Sequence, residues 1–212
     1  MGTTKAPISS SSIDLWHAAS DRPMTVNVPA RRLFAIDGLG PPSAAGFRIA
    51  SRTLRRVDEV LRAVVVGRGD PVRHGFLEIA WWRHPEPSID ELLAAFEDRS
   101  LWHWQQMVEI PVVATIDEAQ AAIAVARHEA GREQPLLHIV ELPGGPVAQI
   151  LHVGRSASEA ATLGALLGAL DAADLEPRGH VHEVRLVDED DVPRERARSI
   201  LRIPLVEIDD RS

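Results

Sequence analysis

Two short stretches with a shared pattern, FLEIAWW at residues 76–82 and VHEVRLV at residues 181–187, decide the fold. Each has the length and the flanking residues of a strand, and the two align when Glu78 is placed on Glu183. Each also occupies the same place in a repeated order of strand, helix, strand and strand. The sequence therefore predicts an internal duplication whose unit is β-α-β-β.

The duplication sets the predicted domain boundaries. The first repeat covers about residues 28–111 and the second about residues 146–206, with a connector at 112–145. Residues 1–22 are expected to form a partly disordered N-terminal extension, and residues 23–208 a single domain. The predicted fold class is α+β, in which the repeats form an antiparallel, barrel-like sheet with helices on the outside and a central cleft.

Composition narrows the class of protein. The chain has 212 residues, of which 45% are hydrophobic and 25% charged, with a net charge of −8 and no cysteine. The lack of cysteine excludes disulfides and thiolate metal sites, and the acidic balance argues against a nucleic-acid-binding surface. No stretch reaches the roughly 20 apolar residues of a membrane helix, and the N-terminus lacks the apolar core of a signal peptide. We therefore expect a cytoplasmic protein with no membrane or nucleic-acid partner.

Capping-box patterns indicate the start of two helices. Asp117, with Gln120 three residues later, indicates the start of a connector helix. Ser156, with Glu159 three residues later, indicates the start of the helix in the second repeat.

The alternation of side chains along a strand predicts where a ligand binds. Ile79 and Trp81 share the face that we expect to pack beneath the helices, whereas Glu78 shares the other face with Trp82. The duplication then places Glu183 opposite Glu78 across the central cleft. A cleft with aromatic walls and two carboxylates has the general form of a small-ligand pocket.

Glu183 and Glu78 are the candidate catalytic residues, because a carboxylate in an apolar cleft has a raised pKa that suits acid–base work near neutral pH. Indoles can hold a planar or cationic ligand, and polar side chains can orient it. The candidate ligand-binding residues are Trp82, Trp102, Trp104, Phe76, Arg185 and Gln106. Two alternatives stay open: a salt bridge of Glu183, for example with Arg185, and ordinary core packing of the tryptophans.

The sequence predicts no metal site and no cofactor. His180 and His182 fall on the strand face opposite Glu183, so the three side chains cannot readily converge on one ion. The chain also lacks a P-loop, a dinucleotide fingerprint and a nucleophile elbow.

From about residue 13 to 206 the chain resembles the GyrI-like small-molecule-binding proteins. The resemblance rests on the order and spacing of six segments: VPARRLFAIDGLG (28–40), LEIAWW (77–82), WHW (102–104), QILHVG (149–154), HEVRL (182–186) and ILRIP (200–204). It implies the duplicated β-α-β-β fold that is also found in effector domains of multidrug-responsive transcription regulators. Because the chain leaves no room for a helix-turn-helix domain, it is similar to the stand-alone branch of the family.

The resemblance also implies an activity. One subfamily of the stand-alone branch hydrolyses the cyclopropane ring of DNA-alkylating natural products related to yatakemycin and holds the ligand in an aromatic cage. Trp82, Trp102 and Trp104 match cage-like positions, and Glu78 and Glu183 match acidic positions of the pocket. The resemblance therefore implies a hydrolase that detoxifies a drug-like molecule.

Two departures from the family pattern keep a second class of function open. Arg185 stands where related sequences often have a tyrosine, and Arg155 follows the QILHVG segment where they often have another. The chain contains no tyrosine, so any role of a phenol is missing. The alternative is a non-enzymatic protein that sequesters a ligand, or that binds gyrase, another protein partner or a second copy of itself.

Overall fold

The computed structural model describes residues 17–70, 72, 75–85, 92–93, 98–130, 135–154, 158–187 and 192–206. Residues 1–16 of the predicted N-terminal extension thus lie outside the described residues. The strands are β1 (Met24–Val28), β2 (Arg31–Leu39), β3 (Leu77–Trp82), β4 (His103–Glu109), β5 (Leu137–Leu142), β6 (Gly145–Val153), β7 (Val181–Arg185) and β8 (Arg198–Pro204). The long helices are α1 (Ala45–Gly67), α2 (Ile116–Ala130) and α3 (Ala160–Ala172), and a short 3-10 helix covers Arg194–Arg196.

The strands form one antiparallel sheet in the order β1-β6-β8-β7-β3-β4-β2-β5. The first β-α-β-β unit is β2-α1-β3-β4, and the second is β6-α3-β7-β8. The two units meet where β3 pairs with β7. Outside them, β5 extends the first unit beside β2, and β1 extends the second beside β6. The α+β fold class with duplicated β-α-β-β units is therefore confirmed.

The helices cover one face of the sheet, which we call the outer face. Each packs a set of buried apolar side chains, at helical spacing, into the main core. In α1 these are Phe47, Ala50, Leu54, Val57, Leu61 and Val65. In α3 they are Leu163, Leu166, Leu167 and Leu170. The opposite face of the sheet is called the inner face.

The hydrogen-bonded ladder is open, with β1 and β5 at its edges. Two short connections nevertheless bring the edges together, because Pro29 and Ala30 alone link β1 to β2, while Pro143 and Gly144 alone link β5 to β6. The connections touch each other: a Cβ at Gly144 would lie 2.8 Å from the backbone nitrogen of Ala30. The sheet is thus curled like a barrel at this end, although ladder hydrogen bonds do not close it.

The capping box of the connector helix lies two residues earlier than the sequence predicts. α2 starts at Ile116, and the reciprocal capping box is Thr115 with Glu118 rather than Asp117 with Gln120. The Thr115 backbone N–H donates to Glu118 Oε2 at 2.8 Å, and the Glu118 N–H donates to Thr115 Oγ1 at 3.2 Å. The threonine hydroxyl thus caps the helix, which is the role that the sequence assigns to the aspartate.

None of the helices in the described ranges combines the length and the apolar character that crossing a membrane requires.

Candidate functional site

The pairing of β3 with β7 fixes the face on which each glutamate lies. Glu78 is opposite Val184, and Ile79 is opposite Glu183. Opposed residues of an antiparallel pair point to the same face, so Glu183 lies on the outer face with Ile79, and Glu78 lies on the inner face. The prediction that the two glutamates look at each other across one cleft is therefore wrong. The alignment of glutamate on glutamate is offset by one residue, and such an offset exchanges the two faces of a strand.

Glu183 is fully buried on the outer face and accepts hydrogen bonds from three side chains. The indole N–H of Trp81 donates to Oε2 at 3.1 Å, and Arg99 Nη1 donates to the same oxygen at 3.3 Å. Arg185 Nε donates to Oε1 at 2.7 Å, so the salt bridge that the sequence left open is present. Buried charge is tolerated only with such partners.

A second buried carboxylate, Glu159, shares Arg99 with Glu183. Arg99 Nη2 donates to Glu159 Oε2 at 2.6 Å, and the Ser199 hydroxyl donates to Oε1 at 2.9 Å. Burial raises the pKa of Glu159 to about 8, and the neighbouring charge of Glu183 adds to the rise. Burial thus favours the protonated form of Glu159 near neutral pH, where an ordinary glutamate is ionised.

We call the group formed by Glu159, Glu183, Arg99 and the side chains around them the outer cluster, and its walls are aromatic. Phe47 stacks on Trp81 with ring centroids 5.6 Å apart, and its other neighbour is the edge of Trp104 at 5.2 Å. The Arg99 guanidinium lies 4.5 Å from the centre of the Trp81 ring, and the Arg185 guanidinium lies 5.4 Å from that of Phe47. A planar cation is therefore already stacked on an indole and bound to two carboxylates within the protein.

Trp104 depends on a glycine in the neighbouring strand. It is opposite Gly38 in the β2–β4 pair, and a Cβ at Gly38 would lie 2.0 Å from the indole ring. The indole is 3% exposed, and its N–H has no acceptor among the described residues. Trp102 is also buried in the outer-face core.

Gln106 connects the cluster to the start of α1. Its amide donates to the Phe47 carbonyl at 2.9 Å and accepts from the Ser51 hydroxyl at 2.7 Å. Gln106 is fully buried, so these bonds satisfy an amide that would otherwise be costly to bury. This predicted binding residue thus lies opposite Ile79 on the outer face beneath the helices, where its amide holds the Phe47 backbone.

Glu78 belongs to a different polar group on the inner face. Arg31 donates to it through two nitrogens, at 2.7 and 3.3 Å, and His182 Nδ1 lies 2.6 Å from Glu78 Oε1. Burial opposes ionisation of Glu78, but Arg31 and His182 outweigh burial and hold its pKa well below the usual range. Glu78 is therefore a charged partner in an ion-pair network.

The predicted cage of Trp82, Trp102 and Trp104 does not form, because Trp82 lies on the inner face. It is opposite His103 in the β3–β4 pair and packs with the inner-face apolar cluster. Its indole is stacked between His103, at 5.7 Å, and His180, at 4.9 Å. The indole that lies beside Glu183 on the outer face is Trp81, which the sequence places correctly beneath the helices.

Phe76, also a predicted ligand-binding residue, precedes β3 and is partly exposed. Its ring meets the edge of His17 at 4.7 Å, outside the outer cluster.

Sequence reasoning misses Glu159, Arg99 and Phe47. Glu159 is taken for a helix cap, yet it forms no side-chain cap on α3, and its carboxylate bonds to Arg99 and Ser199 instead. Ser156, the other member of that predicted capping box, lies outside the described residues. The bonds to Arg99 join residues 60 and 84 positions apart, a separation that no local pattern reveals.

Residues 110–206 match the sequence profile of the family described as the GyrI-like small molecule binding domain. The resemblance seen in the sequence is thereby confirmed for the second half of the chain. No curated protein matches the sequence significantly.

Solved structures share the fold over nearly the whole chain. An uncharacterized conserved protein from Listeria innocua has a TM-score of 0.76 at 21% identity, covering 90% of this chain and 95% of its own. A hydrolase from Listeria innocua has a TM-score of 0.73 at 20% identity, covering 92% and 97%. The EcmrR C-terminal domain has a TM-score of 0.53 at 7% identity, covering 88% and 98%. At these identities the likeness concerns the fold alone.

Proposed function

We propose that the outer cluster binds an aromatic or cationic small molecule and hydrolyses a strained electrophilic ring within it. The observation that carries this proposal is the pair of buried carboxylates, Glu159 and Glu183, held on one guanidinium that stacks on the Trp81 indole. The small-molecule-binding profile over residues 110–206 supports ligand binding. A protein of the same fold from Listeria innocua is described as a hydrolase.

The walls of the cluster suit a flat, electron-poor ligand. Trp81 already carries the guanidinium of Arg99 on its face, which is the position that a ligand cation would take when Arg99 moves away. The indole N–H of Trp104 has no acceptor in the described part of the chain, and a buried indole normally has one. A ligand carbonyl at this point would complete that hydrogen bond.

The two carboxylates suit opposite tasks in hydrolysis because their environments favour opposite protonation states. Glu183 accepts hydrogen bonds from three donors, two of which are guanidinium groups, and these contacts favour its charged form. The charged carboxylate can therefore accept a proton from the attacking water. Glu159, with a pKa of about 8, carries the proton that the leaving oxygen needs.

In a cyclopropane conjugated with a ring carbonyl, hydrolysis opens the strained ring. The water oxygen bonds to the ring methylene, the strained C–C bond breaks, and its electron pair passes through the conjugated system to the carbonyl oxygen. That oxygen takes the proton of Glu159, while Glu183 takes one from water. Transfer of a proton from Glu183 to Glu159 restores the site, so the net change is the addition of one water molecule.

A spirocyclopropyl cyclohexadienone tests this chemistry, because hydrolysis converts it into a hydroxyethyl phenol that mass spectrometry detects. We expect turnover by the intact protein, and losses of about 100-fold or more in both Glu183→Gln and Glu159→Gln. Glu141→Gln, an exposed change on β5, is the matched control and should leave the rate unchanged. Equal rates in all four proteins, at the level of buffer alone, would exclude the hydrolytic function.

Binding without turnover is the second candidate function, and the hydrogen bonding of Glu183 favours it. Three donors already occupy its two oxygens, which leaves less capacity to orient a water molecule. A sequestering protein would show quenching of tryptophan fluorescence by N-methylquinolinium, reduced in Glu183→Gln, with no hydroxyethyl phenol formed from the dienone.

A further inference from the structure

The inner face holds a pocket that is separate from the outer cluster. It lies at the end where the sheet is curled, beside the Pro143–Gly144 connection that touches the Pro29–Ala30 connection. Its volume is about 80 Å³, well below the roughly 300–1,000 Å³ of pockets that enclose a whole drug-sized ligand. The mouth of a barrel is a frequent place for a ligand, and a pocket of this size admits one small head group.

Among the charged side chains of the lining, cations outnumber anions. Arg31, Arg178 and Arg202 line the pocket, and Glu78 is the only carboxylate among the lining residues that the structure describes. Three guanidinium groups against one carboxylate give these four side chains a net charge of +2, in a chain whose net charge is −8. The pocket is therefore positive within an acidic protein, which favours an anion over a cation.

Two of the three cations, Arg31 and Arg202, are held in place by contacts within the protein. The side chain of Arg31 is 6% exposed and is fixed by Glu78. Arg202 is 2% exposed, and its Nε and Nη2 donate to Gln149 Oε1 at 3.1 and 2.9 Å. Burial lowers the pKa of Arg202 to about 10, Glu78 opposes that change, and the charge of Arg31 adds to it. The charges of these two buried guanidinium groups thus repel each other, and an anion bound in the pocket that both line would relieve this repulsion.

The remaining walls of the pocket are apolar. They come from the strand ends and the connection around its opening, and include Val28, Leu142, Pro146, Val147 and Pro204. An inorganic ion would leave these surfaces uncovered, whereas an organic anion would place its charged group among the arginines and its carbon body against them.

We infer that this inner-face pocket binds the carboxylate of a small organic acid, with the carboxylate between Arg31, Arg178 and Arg202. Arginine suits this ligand because its planar guanidinium matches a carboxylate. The pocket is on the face of the sheet opposite Glu183, so it is a second ligand site and does not depend on the proposed hydrolysis.

Calorimetric titration with three probes tests the inference: benzoate, the neutral benzamide, and acetate, which lacks a carbon body of that size. We expect benzoate to bind at least about tenfold more tightly than either of the others, because it alone supplies both the charge and the apolar body. Equal affinity for benzoate and benzamide would overturn the inference, and so would the absence of saturable benzoate binding.

Variants place the binding at this pocket. Arg178 is exposed at the pocket, so Arg178→Ala should fold normally and weaken benzoate binding about fivefold. Arg196→Ala, an exposed arginine away from the pocket, is the matched control and should bind as the unaltered protein does. Glu183→Gln should also retain benzoate binding, which separates this site from the outer cluster. Benzoate binding that is unaffected by Arg178→Ala would contradict the inference.

Discussion

The indole N–H of Trp81 donates to the buried carboxylate of Glu183 at 3.1 Å, and this bond crosses the β3–β7 pair that joins the two repeats. The two residues are 102 positions apart in the sequence. The duplication thus places an indole of the first repeat and a carboxylate of the second in one outer-face site.

Replacing Trp81 by phenylalanine removes this donor while it keeps an aromatic ring. A buried carboxylate that loses one of its partners costs about 1–3 kcal/mol, so Trp81→Phe should lower the free energy of unfolding by that amount. Chemical denaturation measures the change. Trp82→Phe is the matched control on the inner face, where no hydrogen bond to a described carboxylate is lost, and its cost should be smaller. A larger cost for Trp82→Phe would contradict this arrangement.

The raised pKa of Glu159 predicts that its contribution to stability depends on pH. Its pKa is about 8 in the folded protein and near 4.5 when unperturbed, so between these values the folded state binds the extra proton. Stability therefore falls as pH rises through this window. A glutamine at position 159 cannot ionise, so Glu159→Gln does not lose stability in this way. Its free energy of unfolding, relative to that of the unaltered protein, should therefore rise between about pH 5 and about pH 9. Chemical denaturation at both pH values measures this. The same change in the free energy of unfolding in both proteins would show that Glu159 titrates normally.

Glu78 should show the opposite dependence. Burial opposes its ionisation, but Arg31 and His182 hold its pKa well below the usual 4.5. The unfolded state then binds the proton first as pH falls, so the contribution of Glu78 is present above about pH 4.5 and is lost below it. The free energy of unfolding of Glu78→Gln should therefore fall less between about pH 6 and about pH 3 than that of the unaltered protein. The same acid response in both would contradict the ion pair with Arg31.

Gly38 is required by the indole of Trp104, and not by its own backbone. A methyl group there would overlap the ring at 2.0 Å, so Gly38→Ala should destabilise the protein by about 1–3 kcal/mol and disturb the aromatic wall. Gly168→Ala is the matched control, because a Cβ at this position would meet nothing within 4 Å. Gly168 lies within α3, where alanine is more favourable than glycine by about 1 kcal/mol. Thermal denaturation of the two variants should show shifts of opposite sign; a tolerated Gly38→Ala would mean that the indole packs elsewhere.

The fold could be predicted from the sequence because the repeat and the strand patterns are local. The strands of residues 76–82 and 181–187, and the burial of Trp81 beneath the helices, follow from alternation and flanking residues. The faces of β7 could not be predicted, since Val181 lies on one face and Val184 on the other, so apolar residues occur on both. Only the register, with Ile79 opposite Glu183, decides between them, and register is a property of two strands together.

The proposed site requires that the ligand bind on the outer face of the sheet, and indole ¹⁵N–¹H NMR measures directly which face receives it. The chain has five tryptophans, whose indole signals can be assigned by single Trp→Phe changes. During titration with N-methylquinolinium, the signals of Trp81 and Trp104 should move with the same saturation curve, while that of Trp82 stays in place. Movement of the Trp82 signal, with those of Trp81 and Trp104 unchanged, would place the ligand on the inner face and contradict the proposed site.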